Sequence, residues 1–165
     1  SSLPLVECSP MLMTPAEING LLKERVIAFE ESLSTPFASG EMADWAAKVE
    51  QAAEALLHVL RDDLPPLRQQ QFDTMLGQDP ALEPRVNEIR ESDAENVAHL
   101  QRLHKQLHTV AGQADVRQEA ETALHDRVQK LTEAGLHLVV EVRKQNMAVD
   151  TWIQEAFQRD RGVAD

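Results

Sequence analysis

Apolar residues recur at three- and four-residue intervals through four long stretches of the chain, and this periodicity limits the possible folds more than any other feature. A helix with one apolar stripe must bury that stripe against other helices. There is no β-hairpin signal and no internal repeat. We therefore expect an all-α fold, an antiparallel up-down four-helix bundle. The four stripes are Ile18, Leu22, Val26, Phe29 and Leu33; Trp45, Val49, Ala52, Leu56 and Val59; Val86, Ile89, Val97, Leu100, Leu103, Leu107 and Val110; Leu124, Val128, Leu131, Val139, Val142, Val149 and Ile153.

Capping residues and prolines predict the boundaries of the first two helices. Thr14 is the expected N-cap of the first helix, with Pro15 at its first position and Glu17 completing a capping box. Pro36 disfavours helical geometry in the residue before it and is expected to end that helix. The second helix is expected from about residue 41 to residue 63 and ends at prolines 65 and 66. Residues 67–76 then form a short helix or a covering loop.

The second half of the chain predicts two longer helices. The third begins after residues 79–80 and extends for about 25 to 30 residues. Residues 111–113 form a turn, and the fourth helix follows from about residue 116 to residue 158, with Gly135 as a candidate bend. The expected domain organisation is an N-terminal arm over 1–13, a single bundle domain over 14–162, and a tail over 163–165.

The charge and the segment types exclude several classes of function. The chain has 165 residues and a net charge of −12, which disfavours nucleic acid and anionic membrane surfaces. The one cysteine, Cys8, cannot form an internal disulfide. Residues 1–13 lack the basic start and the apolar stretch of a signal peptide. No segment approaches the roughly 20 apolar residues of a membrane span. We expect a cytoplasmic protein.

The histidines lie mostly off the apolar stripes. At about 100° per residue, His58 falls opposite the apolar face of the second helix, whereas Asp63 lies within it. His104 and His108 stand four residues apart, a spacing that can chelate one metal ion, but on a flank of the third helix. The remaining histidines are isolated and are assigned no role; they are His99, His125 and His137.

Polar residues inside the stripes carry more information. Asp93 lies centrally on the third apolar face, where a buried carboxylate costs several kcal/mol unless it is paired, hydrogen-bonded or metal-bound. Gln145 and Asn146 straddle the fourth face, and Asn19 lies beside the first. These groups either meet at one level and satisfy one another or lie at wet ends of the core. Arg25 offers a candidate countercharge for Asp93.

Four segments resemble the hemerythrin-like, cation-binding (HHE) family of helical bundles. Segment 79–86 (DPALEPRV) with 90–93 (RESD) is similar to the family's entry into its third helix. Segment 57–63 (LHVLRDD) is similar to the family's His-Phe-x-x-Glu-Glu, and 145–149 (QNMAV) stands where the family has His-Glu-x-x-Glu. The tail 152–162 (WIQEAFQRDRG) also looks like the end of such a bundle.

The resemblance implies a hemerythrin-like bundle and identifies the positions of a metal site. Family members typically bind two irons, and some carry, sense or respond to oxygen, nitric oxide or iron. By this resemblance, the first-helix histidine stands at Asn19, the third-helix histidine at Asp93, the fourth-helix histidine at Gln145, and a glutamate at Val149. Ligand-type chemistry is retained only around His58, with Asp62 and Asp63 beside it.

Three hypotheses about function follow. The first is a hemerythrin-like bundle that has lost most metal ligands and acts as a non-catalytic structural, interaction or small-ligand-binding domain. It expects no catalytic residue, no metal and no cofactor, and treats Asn19, Asp63, Asp93 and Gln145 as an inward polar cluster left by the former site. The alternative is a di-iron domain for binding or sensing oxygen, nitric oxide or iron, with His58, Asp62, Asp63 and Asp93 as ligands. The third is a bundle whose acidic surface steers a basic protein partner.

Overall fold

Helices make up nearly all of the described chain, which confirms the predicted all-α class. The structure is a computed structural model that describes residues 13–116 and 118–163, with side chains for all of these except 116, 118–120, 157 and 159–163. No strand occurs in these ranges, and Cys8 lies outside them with most of the predicted arm. The helices are α1 (Pro15–Ser34), α2 (Met42–His58), α3 (Leu64–Gln78), α4 (Glu83–Val116) and α5 (Gln118–Val163).

Helix α1 begins and packs as its sequence predicts. The hydroxyl of Thr14 accepts a hydrogen bond from the backbone N–H of Glu17 at 3.2 Å, so Thr14 is the N-cap. All five residues of the first predicted stripe are buried. The helix ends at Ser34, two residues before Pro36.

The helical backbone continues through the prolines at 65 and 66, so the prediction that they end the second helix is wrong, whereas α3 contains the short helix predicted as one of two possibilities for residues 67–76. A π-helical segment, Val59–Asp63, joins α2 directly to α3, and the N–H of Leu64 donates to the carbonyl of Val59, five residues back. Proline has no N–H and its ring collides with the carbonyl four residues earlier. The wider π turn shifts the hydrogen-bond register at this point, so both prolines fit into the first turn of α3.

Helices α4 and α5 are longer than predicted. Helix α4 spans 34 residues and continues through residues 111–113, where a turn was expected. Burial explains the difference, because Val110 and Ala114 continue the apolar stripe across Gly112 and outweigh the roughly 1 kcal/mol cost of one glycine. Helix α5 spans 46 residues. Even so, no helix in the described ranges is apolar enough over sufficient length to cross a membrane.

The helices pack around two apolar clusters. Helix α1 contacts α2 and α5, α2 contacts α4, and α4 contacts α5, so these contacts form a closed ring. The larger cluster draws on all five helices and includes most of the predicted stripes. The smaller cluster lies at the end of the fold formed by α3, the start of α4 and the second half of α5; its buried members are Phe72, Met75, Val86, Ile89 and Val149.

A layer of polar side chains separates the two clusters along the helices. Three polar or charged residues are buried in the described part of the chain, and they are Arg68, Asn96 and Asn146. The half-buried Asp93 and Gln145 lie beside them in sequence. We call these five residues the polar layer. On α5, for example, it falls between Val142 of the larger cluster and Val149 of the smaller one.

Glu121 of α5 caps the start of α2 from across the fold. The N-cap residue of α2, Glu41, makes no side-chain capping hydrogen bond. The carboxylate of Glu121 instead accepts from the backbone N–H of Gly40 at 2.8 Å and of Met42 at 3.2 Å. A carboxylate is favourable at a helix N-terminus because of the unpaired N–H groups and the helix dipole there.

We expect Glu121→Ala to lower the free energy of unfolding by about 1–2 kcal/mol, because these N–H groups lose their acceptor. Chemical denaturation followed by circular dichroism measures the change. Glu133→Ala, which removes an exposed carboxylate from the same helix, is the control. Equal stability of the two variants would show that the cap contributes nothing.

Candidate functional site

A buried ion pair joins α3 to α4 within the polar layer. The Nε of Arg68 lies 3.1 Å from Oδ2 of Asp93, and the Nη1 of Arg68 donates to the side-chain oxygen of Gln71 at 3.1 Å. Arg68 is 4% exposed and Asp93 is 22% exposed. The sequence predicts that Asp93 needs a partner, with Arg25 as the candidate, but in the structure its partner is Arg68.

The environment of Asp93 disfavours its charged form. Burial raises the pKa of Asp93 above the ordinary value of 3.8, and the charge and hydrogen bond of Arg68 offset only part of this effect. The ionised carboxylate therefore depends on Arg68 for much of its stabilisation. The two side chains therefore depend on each other. Loss of Arg68 favours protonation of Asp93, and loss of Asp93 leaves the charge of Arg68 buried without a partner.

The other residues of the predicted inward cluster have separate environments. Gln145 donates through its Nε2 to the backbone carbonyl of Ile89 at 3.0 Å. Asn19 is half-buried, and its Oδ1 has no hydrogen-bond partner among the described residues; Asp63 is half-buried at the end of the π segment. No hydrogen bond joins any two of Asn19, Asp63, Asp93 and Gln145, all of which lie in the described ranges.

His58 and Asp62 interact with each other at the surface. The Nδ1 of His58 lies 2.8 Å from Oδ2 of Asp62, and their side chains are 63% and 45% exposed. The Nε of Arg61 lies 3.3 Å from the other oxygen of Asp62. The hydrogen bond from Arg61 lowers the pKa of Asp62, and the charges of Arg61 and His58 act in the same direction. The predicted outward position of His58 agrees with this exposure.

A second histidine cluster forms between α2 and α4. The Oε1 of Glu50 lies 2.8 Å from Nδ1 of His108 and 3.7 Å from Nε2 of His104. Glu50 is not among the site residues that the sequence predicts, although it lies four residues after Ala46 and three before Ala53, both buried, and so borders the apolar face of α2. Neither this trio nor any other group of three or more His, Cys, Asp or Glu residues in the described ranges is arranged to hold a metal ion.

A cleft of about 430 Å³ lies between the π segment, α3 and α4, beside the buried ion pair. We call it the arginine cleft, because three arginines and one aspartate are its charged residues. Its volume is in the usual range of small-molecule sites. Its lining is Leu60, Arg61, Leu64, Pro65, Arg68, Gln69, Phe72, Arg90, Asp93, Ala94 and Val97.

Arg90 has an unusual environment within this cleft. Its guanidinium lies over the ring of Phe72, 5.1 Å from the centroid. Its hydrogen bonds, both 3.5 Å long, go to the neutral amides of Asn87 and Gln69. In the described part of the chain, no carboxylate forms an ion pair with Arg90. The charge of this arginine is thus available to an external anion.

A separate cleft of about 360 Å³ lies between α4 and α5, and it includes two histidines to which sequence analysis assigned no role. His99 and His137 are both exposed there, and Glu95 and Glu141 stand four residues from them on the same helices. The cleft combines charged side chains of both signs, from Glu95, Arg102 and Glu141. It has no buried charged group comparable to Arg68.

Neither Arg68 nor Arg90 is among the site residues that the sequence predicts. Because the prolines predict the end of the second helix, α3 is not among the four predicted bundle helices, and Arg68 therefore has no predicted place in the core. The sequence gives only a weak signal here, because apolar residues are not concentrated on one face of α3 and its buried set includes Arg68 itself.

Comparison of the chain with models of known protein families, with curated proteins and with solved structures finds no match.

Proposed function

We propose that the chain is a hemerythrin-like, antiparallel four-helix bundle that holds no metal pair and acts as a non-catalytic domain that binds a small ligand. The observation that carries this proposal is the Arg68–Asp93 ion pair. It occupies a position where the resemblance places a metal ligand, and it borders a cleft of the size of a small-molecule site.

The order of contacts between helices supports the antiparallel arrangement. Glu30 of α1 contacts Arg143 of α5, and Leu33, further along α1, packs near Gly135, which is earlier in α5. The long helix formed by α2, the π segment and α3 shows the same reversal against α4. There, Glu50 lies near His108, whereas Arg68 pairs with Asp93. In both pairs, later residues of one long helix meet earlier residues of the other, which supports an up-down arrangement.

The residues at the implied iron positions do not fit a metal pair. The guanidinium of Arg68 lies 3.1 Å from Asp93 and would repel a divalent cation bound to that carboxylate. Displacing Arg68 would leave a buried charge without its partner, which costs several kcal/mol. Gln145 is bonded to a backbone carbonyl, and Val149 has no ligand atom. A di-iron centre in the bundle needs carboxylates and histidines from several helices.

Metal analysis tests this proposal. We expect protein expressed with iron supplied to purify with far less iron than one ion per chain, and Asp93→Ala to leave that content unchanged. Asp126→Ala, which removes an exposed carboxylate of α5, is the matched control. Near-stoichiometric iron, with visible absorption lost in Asp93→Ala and kept in Asp126→Ala, would contradict the proposal. That outcome would favour the di-iron alternative with His58, Asp62, Asp63 and Asp93.

A further inference from the structure

The arginine cleft is electropositive on an acidic protein. The chain has 16 Lys and Arg against 28 Asp and Glu, yet the cleft contains three arginines and one aspartate. Two of these arginines already have carboxylate partners, since Arg68 pairs with Asp93 and Arg61 with Asp62. Arg90 is the one with neutral partners only in the described chain. An anion that enters the cleft would therefore be stabilised most by Arg90.

The position of Arg90 suits a planar anionic group. Stacking on Phe72 holds the guanidinium beside the cleft, and the long hydrogen bonds to Asn87 and Gln69 are readily exchanged for charge-assisted bonds. A guanidinium offers parallel N–H groups that match the two oxygens of a carboxylate. Asp93 adds a negative charge to the same cleft, so a singly charged carboxylate is repelled less than a doubly charged phosphate.

The rest of the cleft is apolar. Leu60, Leu64 and Phe72 line it although each is at most 5% exposed, and Pro65 and Val97 extend this surface. An apolar chain lying here would exchange water for a hydrocarbon surface, which favours binding in proportion to the apolar area removed from water. The cleft thus joins a cationic end to an apolar wall.

We propose that the arginine cleft binds a small carboxylic acid with an apolar chain, with its carboxylate on Arg90 and its chain against Leu60, Leu64 and Phe72. This inference rests on the proposed function, because it names the class of ligand that the metal-free domain binds.

Calorimetric titration of the full chain with sodium octanoate tests the inference. We expect saturable binding at one site, and we expect Arg90→Gln to weaken it about tenfold because one charge-assisted pair is lost. Arg102→Gln is the matched control, since it removes the same charge from an exposed position on the same helix outside the cleft. It should leave the affinity within about twofold of the original. 1-Octanol, which has the chain without the charge, should bind more weakly than octanoate.

Three results would overturn the inference. The first is no saturable binding up to about 10 mM octanoate, where the binding free energy would be below about 3 kcal/mol in magnitude by the ratio of tenfold per 1.4 kcal/mol. The second is an equal loss of affinity in Arg90→Gln and Arg102→Gln. The third is equal affinity for octanol and octanoate. Iron measured on the same protein separates the two proposals. Iron-free protein that does not bind octanoate refutes only the cleft inference, whereas stoichiometric iron refutes the proposed function.

Discussion

Replacing Gly135 with alanine is expected to lower the free energy of unfolding by about 1–3 kcal/mol, although the same substitution stabilises an ordinary helix. Gly135 lies where α5 packs closely against α1. A methyl group on it would lie 2.6 Å from Cδ1 of Leu33 and 3.4 Å from Cζ of Phe29. Neither neighbour can move easily, because Leu33 is 4% exposed and Phe29 is completely buried. The candidate bend at this residue is therefore a position of close helix contact.

Gly20→Ala is the matched control for this prediction. Gly20 also lies inside a helix, but nothing lies within 4 Å of a methyl group placed there. Alanine at that position should raise the free energy of unfolding by about 0.5–1 kcal/mol, through helix propensity alone. Chemical denaturation of the two variants gives opposite signs if the α1–α5 contact is as close as described. Stabilisation by both substitutions would show that Leu33 relaxes without cost.

Replacing Arg68 with methionine is expected to destabilise the fold at neutral pH by about 1–3 kcal/mol. This range is below that of a fully buried pair, because Asp93 keeps 22% exposure and some solvation. Methionine preserves much of the buried volume, so the loss reports the missing charge more than a cavity. The half-buried carboxylate of Asp93 would then have no guanidinium beside it.

The loss in Arg68→Met should depend on pH in a defined direction. Burial already raises the pKa of Asp93, and removing Arg68 removes the groups that lower it. The folded state then binds more protons than the unfolded state between pH 3.8 and the raised pKa. The stability that protonated Asp93 contributes is therefore fully present below about pH 3.8 and is lost as the pH rises through the raised pKa. The difference between Arg68→Met and the original protein should therefore be small near pH 4 and largest near neutrality.

The double variant Arg68→Met/Asp93→Asn is the control for the titrating group. With no carboxylate at residue 93, the double variant should be more stable than Arg68→Met at neutral pH and should not show its extra pH dependence. Unfolding by urea across a pH series gives both quantities. If Arg68→Met loses the same stability at every pH, then Asp93 is not the group that Arg68 stabilises.

The apolar periodicity of the sequence predicts most of the helical structure correctly. The stripe residues of α1 are all buried, and most of those in α2, α4 and α5 are buried too. The errors occur at Pro65 and Gly112, where residues that disfavour helices were expected to end them. In both places the apolar stripe continues past the unfavourable residue. Burial of the stripe stabilises the helix by more than the low helix propensity of proline or glycine destabilises it. The presence of such a residue therefore does not by itself predict the end of a helix.

The candidate site was less predictable than the fold. The position of Asp93 on an apolar face correctly indicated that it needs a partner, because this follows from the cost of burying a charge. The identity of the partner depends on how α3 is placed against α4, 25 residues apart in sequence. The arginine cleft likewise joins residues of the π segment, α3 and α4. The spacing of residues along one helix cannot predict such contacts between different helices.

The π segment determines which way α3 faces. One extra residue in a turn rotates every later side chain by about 100° around the helix axis. Side chains at equivalent helical positions therefore point in one direction in α2 and in another in α3. The second directs Arg68 toward α4 and leaves Leu64 and Phe72 beside the cleft. The two prolines at this point keep the α3 register in place, because neither can form the hydrogen bond of an uninterrupted α-helix.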